Sequence, residues 1–174
     1  MKSALSTLCY IRNNDKYLML HRISKDRDVN KDKWIGVGGH FLPGESPEEC
    51  LLREVKEETG WTLDGWQFHG IVTFVLQSGD EVENQSESGL TEYMFLFTTE
   101  EVNGGIPEKL PECDEGVLEW VSISDVMNLN LWEGDKIFFR LIEEKAPVFS
   151  LKLVYNPEGV LLQAVLDGKE LPRS

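Results

Sequence analysis

The sequence SPEECLLREVKEETG carries the strongest local signals in the chain, and they predict a single helix. Ser46 and Glu49 have the spacing of a capping box, in which each side chain accepts a hydrogen bond from the other residue's backbone N–H. Pro47 suits the first helical position, and Gly60 suits the left-handed conformation that often follows a helix. The sequence therefore predicts a helix from Pro47 to Thr59.

This helix is predicted to have two unlike faces, because side chains rotate by about 100° per residue. The packing face carries Leu51, Leu52, Val55 and Thr59. The acidic face carries Glu54, Glu57 and Glu58.

The acidic face predicts either a cation site or a solvated surface. Like charges three or four residues apart on a helix cost about 0.2–0.5 kcal/mol per pair, and a bound divalent cation would offset this repulsion. Ligands that are all carboxylate oxygens suit Mg²⁺, Mn²⁺ or Ca²⁺, whereas Zn²⁺ favours His or Cys. The alternative is a solvated face that Arg53 and Lys56 partly neutralise.

A wider pattern of glycines and charged residues surrounds the helix. It consists of Gly39, Glu45, the run Arg53-Glu54-Val55-x-Glu57-Glu58, and Gly60-Trp61. This spacing resembles the Nudix box of the nucleoside-diphosphate-linked-moiety hydrolases. Seven of these positions, all except Val55 and Trp61, require one particular residue. A chance match of all seven at a given starting position in a sequence occurs about once in 10⁸. The last position is usually aliphatic in the family, and we expect Trp61 to change only the local packing.

The resemblance implies the Nudix fold, which is α/β with a mixed β-sheet in an α/β/α sandwich. The sequence agrees, since strands interleaved with two or three helices predict a mixed sheet covered on both faces. Outside the box, the blocks KWIGVGGHFLPGE, CDEGVLEWV and LWEGDKIFF resemble those of MutT-type 8-oxo-dGTP diphosphatases. With about 100–200 residues per domain as the usual size, residues 1–174 are predicted to form one domain.

The resemblance also assigns the roles of the box residues. Catalytic and metal-binding roles fall on Glu54, Glu57 and Glu58, with the main-chain carbonyl of Gly39 as a further ligand. Arg53 is expected to support catalysis by holding carboxylates in place. The metal would be Mg²⁺, with Mn²⁺ as the alternative.

Three further acidic residues are expected to support or extend the metal site. Glu45 is expected to brace the loop before the helix, and Glu49 to lie beside Arg53 together with Glu57. Glu115 matches a later acid that often joins the metal site in this branch of the family. Asp114 is the alternative to Glu115.

The substrate contacts implied by the resemblance lie outside the box. Trp132 would stack on a purine base and Asp135 would hydrogen-bond its edge. Arg22 and Phe74 are further predicted substrate contacts. The alternative for Trp132 is an anchor of the last helix in the core. The family's acid beside Asp135 is replaced here by Gly134, which is similar to some bacterial mutator-type enzymes.

The reaction implied by the box is metal-dependent hydrolysis of a nucleoside triphosphate to a nucleoside monophosphate and pyrophosphate. Divalent ions neutralise phosphate oxygens and activate water, and a glutamate can act as the base. The favoured substrate is 8-oxo-dGTP. The alternatives are a dinucleoside polyphosphate, a sugar nucleotide, or a ligand-sensing module without catalysis, although such a module would be expected to lose box glutamates.

The net charge of −14 argues against nucleic-acid polymers and anionic membranes as partners, because both require basic surfaces. No apolar run approaches the roughly 20 residues of a membrane span. The three cysteines, Cys9, Cys50 and Cys113, lack metal-type spacing and favour a reducing compartment. We therefore expect a cytoplasmic enzyme, and its partner is expected to be a small-molecule nucleotide substrate. Monomer and homodimer both stay open.

The remaining chain is predicted to alternate strands, loops and short helices. Residues 23–33 are expected to form a charged loop in which Lys25, Arg27, Lys31 or Lys33 steers phosphate oxygens. Residues 78–89 are expected to form a flexible acidic loop. Predicted strands cover residues 4–11, 16–22, 69–76, 92–98, 117–121, 149–155 and 159–165, with helices over 123–129 and 135–144.

Overall fold

The computed structural model describes residues 2–24, 28–79 and 89–172. The strands are β1 (Lys2–Asn13), β2 (Lys16–His21), β3 (Trp34–Ile35), β4 (Val37–His40), β5 (Gln67–Leu76), β6 (Leu90–Thr99), β7 (Val117–Ser122), β8 (Phe149–Tyr155), β9 (Leu161–Leu166) and β10 (Lys169–Glu170). The helices are α1 (Pro47–Thr59), α2 (Ile123–Val126) and α3 (Asp135–Glu143). The described chain groups into two compact units.

Unit 1 consists of residues 1–6, 69–96 and 132–174, as far as these are described. Its β5 and β8 run parallel, with Gly70 opposite Phe149 and Leu76 opposite Tyr155. β8 continues into an antiparallel hairpin with β9, and β10 pairs antiparallel with β9. Parallel and antiparallel pairs therefore occur in the same unit, as the predicted mixed sheet requires.

Unit 2 consists of residues 7–68 and 97–131, as far as these are described. β2 pairs antiparallel with β1, β3 and β7, and β4 pairs with β1. Asn14 has a φ of 55° at the tight turn between β1 and β2, which is a conformation that asparagine tolerates. The buried core of this unit includes Leu18, Met19 and Val55.

The strands and helices differ from the predicted ones mainly at their ends. α1 and β8 have the predicted bounds, whereas α2 ends at Val126 instead of Leu129. Ser122 stands where a serine often caps a helix, but its side chain makes no capping hydrogen bond to α2. It lies 3.1 Å from the Ser124 hydroxyl instead.

Two loop predictions lie partly outside the described residues. Residues 23–24 and 28–33 form no helix or strand, as predicted, while Lys25 and Arg27 are not described. Arg22, predicted as the last residue of a strand, lies just after the end of β2. Of the acidic loop, residues 80–88 are not described. Within the three described ranges, no helix has the length and apolar character needed to cross a membrane.

The buried faces of the helices were predicted only in part. Cys50 and Glu58 are buried on α1, whereas Leu52 is only half-buried. On α3 the buried apolar residues are Phe138, Phe139 and Ile142, whereas Ile137 is only half-buried. A helical wheel treats every apolar side chain alike, but the neighbouring strands decide which ones are covered.

Candidate active site

The start and end of α1 are fixed by the residues that the sequence singled out. The Ser46 hydroxyl accepts a hydrogen bond from Glu49 N at 3.1 Å, and the Glu49 carboxylate accepts one from Ser46 N at 2.7 Å. Gly60 has a φ of 75°, and its N–H donates to the carbonyl of Lys56 at 2.9 Å. These contacts confirm the predicted capping box and the left-handed helix end.

The Gly-rich segment before α1 is a strand that lies very close to β1. A side chain at Gly36 would place its Cβ 2.5 Å from the carbonyl oxygen of Cys9, and one at Gly38 would meet the carbonyl oxygen of Thr7. Only glycine fits such a close approach of two backbones. Gly36 and Gly38 therefore allow β4 and the residue before it to lie against β1.

Glu58 is the buried carboxylate of the candidate site. Its side chain turns toward β4, where Oε2 accepts a hydrogen bond of 2.7 Å from the backbone N–H of Gly38. Only 7% of Glu58 is exposed to solvent. Burial, together with the nearby Glu54 charge, raises its pKa from an ordinary value of 4.5 to about 8, although the hydrogen bond from Gly38 acts in the lowering direction. A carboxylate that is hard to ionise in this position is one that a cation would stabilise.

Glu54 approaches the next residue of the same strand. A Cβ at Gly39 would collide with the Glu54 carboxyl group, so the glycine leaves the space that this carboxylate occupies. The Gly39 carbonyl oxygen also lies 3.5 Å from Sγ of Cys50. Glu54 and Glu58 therefore reach β4 at adjacent residues.

Arg53 holds the acidic side chains and the loop before α1 together. Its Nε and Nη2 donate to the two oxygens of Glu45 at 2.6 and 2.9 Å. Its Nη1 donates to Glu54 at 2.6 Å and lies 3.3 Å from Glu57, and Nη2 also donates to the carbonyl of His40 at 2.9 Å. The guanidinium therefore contacts three carboxylates through a fixed planar fork.

Glu45 closes the loop before α1, as predicted. Besides binding Arg53, its Oε2 accepts a hydrogen bond of 2.8 Å from Leu42 N. The hydrogen bond from Arg53 is the main cause that lowers the Glu45 pKa to about 2. The expected pairing of Arg53 with Glu49 is replaced, because Glu49 is engaged in the capping box.

The donor set fits a hard divalent cation by its chemistry. The glutamates of α1 and the carbonyl of Gly39 would supply oxygen ligands with several negative charges, which is the set preferred by Mg²⁺ or Mn²⁺. In the described part of the chain, no three acidic, His or Cys side chains are already gathered as a cluster that could hold an ion. Glu54 is paired with Arg53 instead, so its oxygens would have to turn toward the cation.

Arg22 and Glu115, predicted as a substrate contact and a metal ligand, are paired with each other. Arg22 Nη1 donates to Glu115 Oε2, and Arg22 Nε donates to Asp28 Oδ2 at 2.7 Å. The Arg22 charge also acts on Glu58, whose pKa it lowers against the larger effect of burial. Arg22 therefore lies within electrostatic reach of the buried glutamate, and the metal role of Glu115 and the substrate role of Arg22 stay predictions.

Lys33, one of the residues predicted to steer phosphate, donates hydrogen bonds to a neighbouring segment of the protein. Lys33 Nζ donates to Oδ1 of Asn130 at 3.0 Å and to the carbonyl of Leu131 at 3.1 Å. Asn130 in turn donates to the carbonyl of Asp32 at 2.9 Å. These contacts tie the 28–33 segment to residues 130–131, so Lys33 would have to leave them to bind a phosphate.

The predicted base contacts lie in an aromatic group of unit 1. Trp132 packs edge-on against Phe74 and Tyr155, with ring centroids 5.0 and 4.9 Å apart. Trp132, Phe74 and Asp135 are all buried, with 7%, 6% and 5% of their surface exposed. The alternative role of Trp132 as a core anchor accounts for these contacts, and its base contact stays a prediction.

Sequence reasoning missed three residues that hold the candidate site residues in place. Gly38 carries the N–H that binds Glu58, Asp28 binds Arg22, and Tyr155 contacts Trp132. Asp28 could have been noticed as an acid in a basic loop. No local pattern marks Gly38 as a donor or Tyr155 as a neighbour of Trp132, because both contacts join distant parts of the sequence.

Three comparisons with known proteins agree on the kind of chain that this is. This chain is 27% identical to the Nudix hydrolase YvcI of Bacillus subtilis over 165 residues, and the alignment covers 95% of each chain. It is 25% identical over 121 residues to the oxidized purine nucleoside triphosphate hydrolase of Mus musculus, covering 70% of this chain and 69% of that one.

A solved structure gives the same assignment. The mutator MutT protein from Bacillus halodurans superimposes with a TM-score of 0.75 and 26% identity, over 94% of this chain and 97% of that one. The family description "NUDIX domain" matches residues 2–142. Together with the mixed α/β fold and the glutamate-bearing helix, this match shows that the chain belongs to the Nudix family of hydrolases.

Proposed function

We propose that this protein hydrolyses a nucleoside triphosphate to the nucleoside monophosphate and pyrophosphate, and that its substrate is the oxidised nucleotide 8-oxo-dGTP. The observation that carries the reaction type is the buried Glu58, held by Gly38 beside a second carboxylate at Gly39. A solvated acidic face would leave all three glutamates in water. Here one of them is buried, which lowers the local dielectric and strengthens its attraction for a cation.

The cation that we propose is Mg²⁺, bound by Glu54, Glu57, Glu58 and the Gly39 carbonyl, with Glu115 as a further ligand. When bound, such an ion neutralises charge on the phosphate oxygens and makes water a better nucleophile. Mn²⁺ is the alternative, because it accepts the same oxygen ligands.

The protein's own residues would orient the reactants. Arg53 contacts Glu54 and Glu57 and keeps both side chains close together, and their oxygens would turn from this pairing toward the cation. A glutamate of α1 takes the proton of the attacking water. Water adds to one of the two phosphorus atoms that flank the α–β bridging oxygen, the bond from that phosphorus to the bridging oxygen breaks, and nucleoside monophosphate and pyrophosphate separate.

Support for the nucleotide substrate comes from the relatives. The mouse relative is named for hydrolysis of oxidised purine nucleoside triphosphates, and it aligns with 70% of this chain. We propose that Phe74, Trp132 and Asp135 contact the base. The aromatic rings would pack against the face of the purine, and the buried acid would hydrogen-bond its edge. Arg22 would bind phosphate once it is released from Glu115.

The experiment is a substrate panel measured with and without metal. It would contain 8-oxo-dGTP, the ordinary deoxynucleoside triphosphates, a dinucleoside polyphosphate and a sugar nucleotide, with products identified by chromatography. We expect no turnover in EDTA, restoration by Mg²⁺, and the highest kcat/KM for 8-oxo-dGTP with pyrophosphate as product. Turnover that survives full chelation would overturn the metal assignment, and a preference for another panel member would replace the substrate.

A further inference from the structure

Tyr155, at the end of β8, contacts the turn that carries both predicted base-contacting residues. Its side chain is completely buried, and its hydroxyl oxygen accepts a hydrogen bond of 2.9 Å from the backbone N–H of Gly134. Its ring lies 4.9 Å from the Trp132 ring at an interplanar angle of 64°. Tyr155 therefore contacts this turn at two points, one polar and one apolar.

The turn itself is compact, so these contacts fix both base-contacting residues together. Asp135 N donates to the carbonyl of Trp132 at 2.9 Å, and Gly134 lies between them. Gly134 is the residue that precedes α3, and it has no side chain with which to cap the helix. The Tyr155 hydroxyl provides a hydrogen-bond partner at this helix start from a distant strand.

The absence of a side chain at position 134 is explained by Tyr155. A Cβ there would lie 2.6 Å from the Tyr155 hydroxyl oxygen and 2.5 Å from Cδ1 of Leu153. Leu153 is flexible at its end, but the phenolic oxygen is held by its own hydrogen bond. The hydroxyl, together with the end of Leu153, thus occupies the space that a side chain at position 134 would need.

The Tyr155 hydroxyl keeps its proton near neutral pH. Burial raises its pKa well above the usual range, and the negative charge of Asp135 raises it further. A tyrosine hydroxyl that accepts one hydrogen bond can still donate another. The effect of the Asp135 charge on the Tyr155 pKa indicates that the two side chains lie close enough for their charges to interact.

We infer that Tyr155 is a positioning residue for base selection, because its hydroxyl and ring together set the placement of Trp132 and Asp135. This inference rests on the proposed function, since it concerns the base of a nucleotide substrate. Tyr155 is not expected to take part in hydrolysis itself. Its effect should therefore appear in how well a base is bound and distinguished, and not in the rate of the chemical step.

The experiment uses Tyr155→Phe, which removes the hydroxyl and keeps the ring. We expect KM for 8-oxo-dGTP to rise about three- to tenfold, as for the loss of one buried hydrogen bond, with little change in kcat. The preference for 8-oxo-dGTP over dGTP should fall by a similar factor. Inhibition by pyrophosphate, which has no base, should stay unchanged.

The matched control is Tyr17→Phe, which removes a buried phenolic hydroxyl from β2 in unit 2. It should leave the base preference at the wild-type value. If Tyr155→Phe keeps the wild-type KM and preference, or if it lowers kcat equally for both nucleotides, the inference is wrong.

Gly134→Ala provides a second test, in which its effect on base preference is compared between the wild-type and Tyr155→Phe backgrounds. In the wild-type background its Cβ would meet the Tyr155 oxygen, so the base preference should fall. In the Tyr155→Phe background that oxygen is gone, and the same change should cost clearly less. Equal effects in the two backgrounds would show that the residues act independently and would overturn the inference.

Failure of the proposed function gives a different result from failure of this inference. If the wild type hydrolyses triphosphates without preferring the oxidised base, the substrate proposal fails. The same variants are then compared on dGTP and dCTP, where a purine preference that falls in Tyr155→Phe supports the inference and an unchanged one contradicts it. If no triphosphate is hydrolysed, both proposals fail.

Discussion

The backbone N–H of Gly38 donates a hydrogen bond of 2.7 Å to Oε2 of Glu58, and this contact ties the acidic helix to the glycine-rich strand. It places the Glu58 carboxyl group in a buried position, whereas the sequence pattern left open whether the acidic face of the helix binds a cation or is solvated. The burial of this carboxyl group and its fixed orientation are the features that separate a cation site from a solvated surface.

The first prediction concerns the start of α1. Ser46→Ala removes the side chain that caps the helix, and we expect the free energy of unfolding to fall by about 1 kcal/mol. Ser122→Ala is the matched control, because Ser122 precedes α2 without making a capping hydrogen bond. Urea unfolding of both variants checks this, and an equal loss of stability in the two would contradict it.

Both ends of α1 could be predicted because their signals are local. The capping residues, the first-turn proline and the terminal glycine act over one or two turns, so Ser46 and Gly60 fixed its ends. The burial of Glu58 could not be predicted, since it depends on a strand twenty residues earlier. The wheel geometry grouped Glu58 with Glu57, yet the structure buries one and exposes the other.

The same distinction applies to the rest of the candidate site. The box spacing identified Arg53 and Glu45 as supporting residues, and the structure confirms that they bind each other. The pairing of Arg22 with Glu115 joins residues that are far apart in the sequence, so no spacing rule could have predicted it. The contact between Tyr155 and Gly134 is of the same kind.

The second prediction concerns the guanidinium of Arg53. Arg53→Lys keeps the positive charge but loses the planar fork that contacts Glu45 and Glu54 together. We expect apparent Mg²⁺ affinity to fall about 10- to 100-fold, as for other residues that orient metal ligands. The measurement is the Mg²⁺ dependence of turnover, with a direct binding titration alongside it.

The control for this prediction is Arg140→Lys, which makes the same change at an exposed position of α3. It should bind Mg²⁺ as the wild type does. A wild-type Mg²⁺ affinity in Arg53→Lys would show that the carboxylates need no fixed guanidinium.

The third prediction concerns the pH dependence of stability in EDTA. Glu58 has a pKa of about 8 in the folded protein and an ordinary value of 4.5, so the folded state binds its proton more tightly. The resulting stabilisation is fully present below 4.5 and is lost as the pH rises through 8. Between pH 5 and pH 9, the wild type should therefore lose more stability than Glu58→Gln, which carries no ionisable group.

Urea unfolding at several pH values measures this difference. Glu48→Gln, an exposed change in the first turn of the same helix, should follow the wild-type pH profile. Identical profiles for Glu58→Gln and the wild type would mean that Glu58 ionises as freely in the folded protein as in water.

The fourth prediction concerns the base contacts. Asp135→Asn and Trp132→Ala should each raise KM for 8-oxo-dGTP while leaving the Mg²⁺ dependence intact. Asp135→Asn should lower the preference for 8-oxo-dGTP over dGTP by about ten- to a hundredfold, because a buried polar group paired by only one base rejects the other. The values of kcat/KM for both nucleotides decide this. Unchanged preferences in both variants would leave Trp132 as a core anchor.

The most direct measurement is the turnover of 8-oxo-dGTP at saturating Mg²⁺ by the Glu57→Gln/Glu58→Gln double variant, with Glu48→Gln as the control. Both changes keep side-chain shape and remove charge from the proposed metal ligands. We expect kcat to fall at least about 10²-fold, as for the loss of electrostatic stabilisation, while Glu48→Gln keeps wild-type turnover. A folded double variant with near wild-type kcat would contradict the metal site and restore the solvated acidic face.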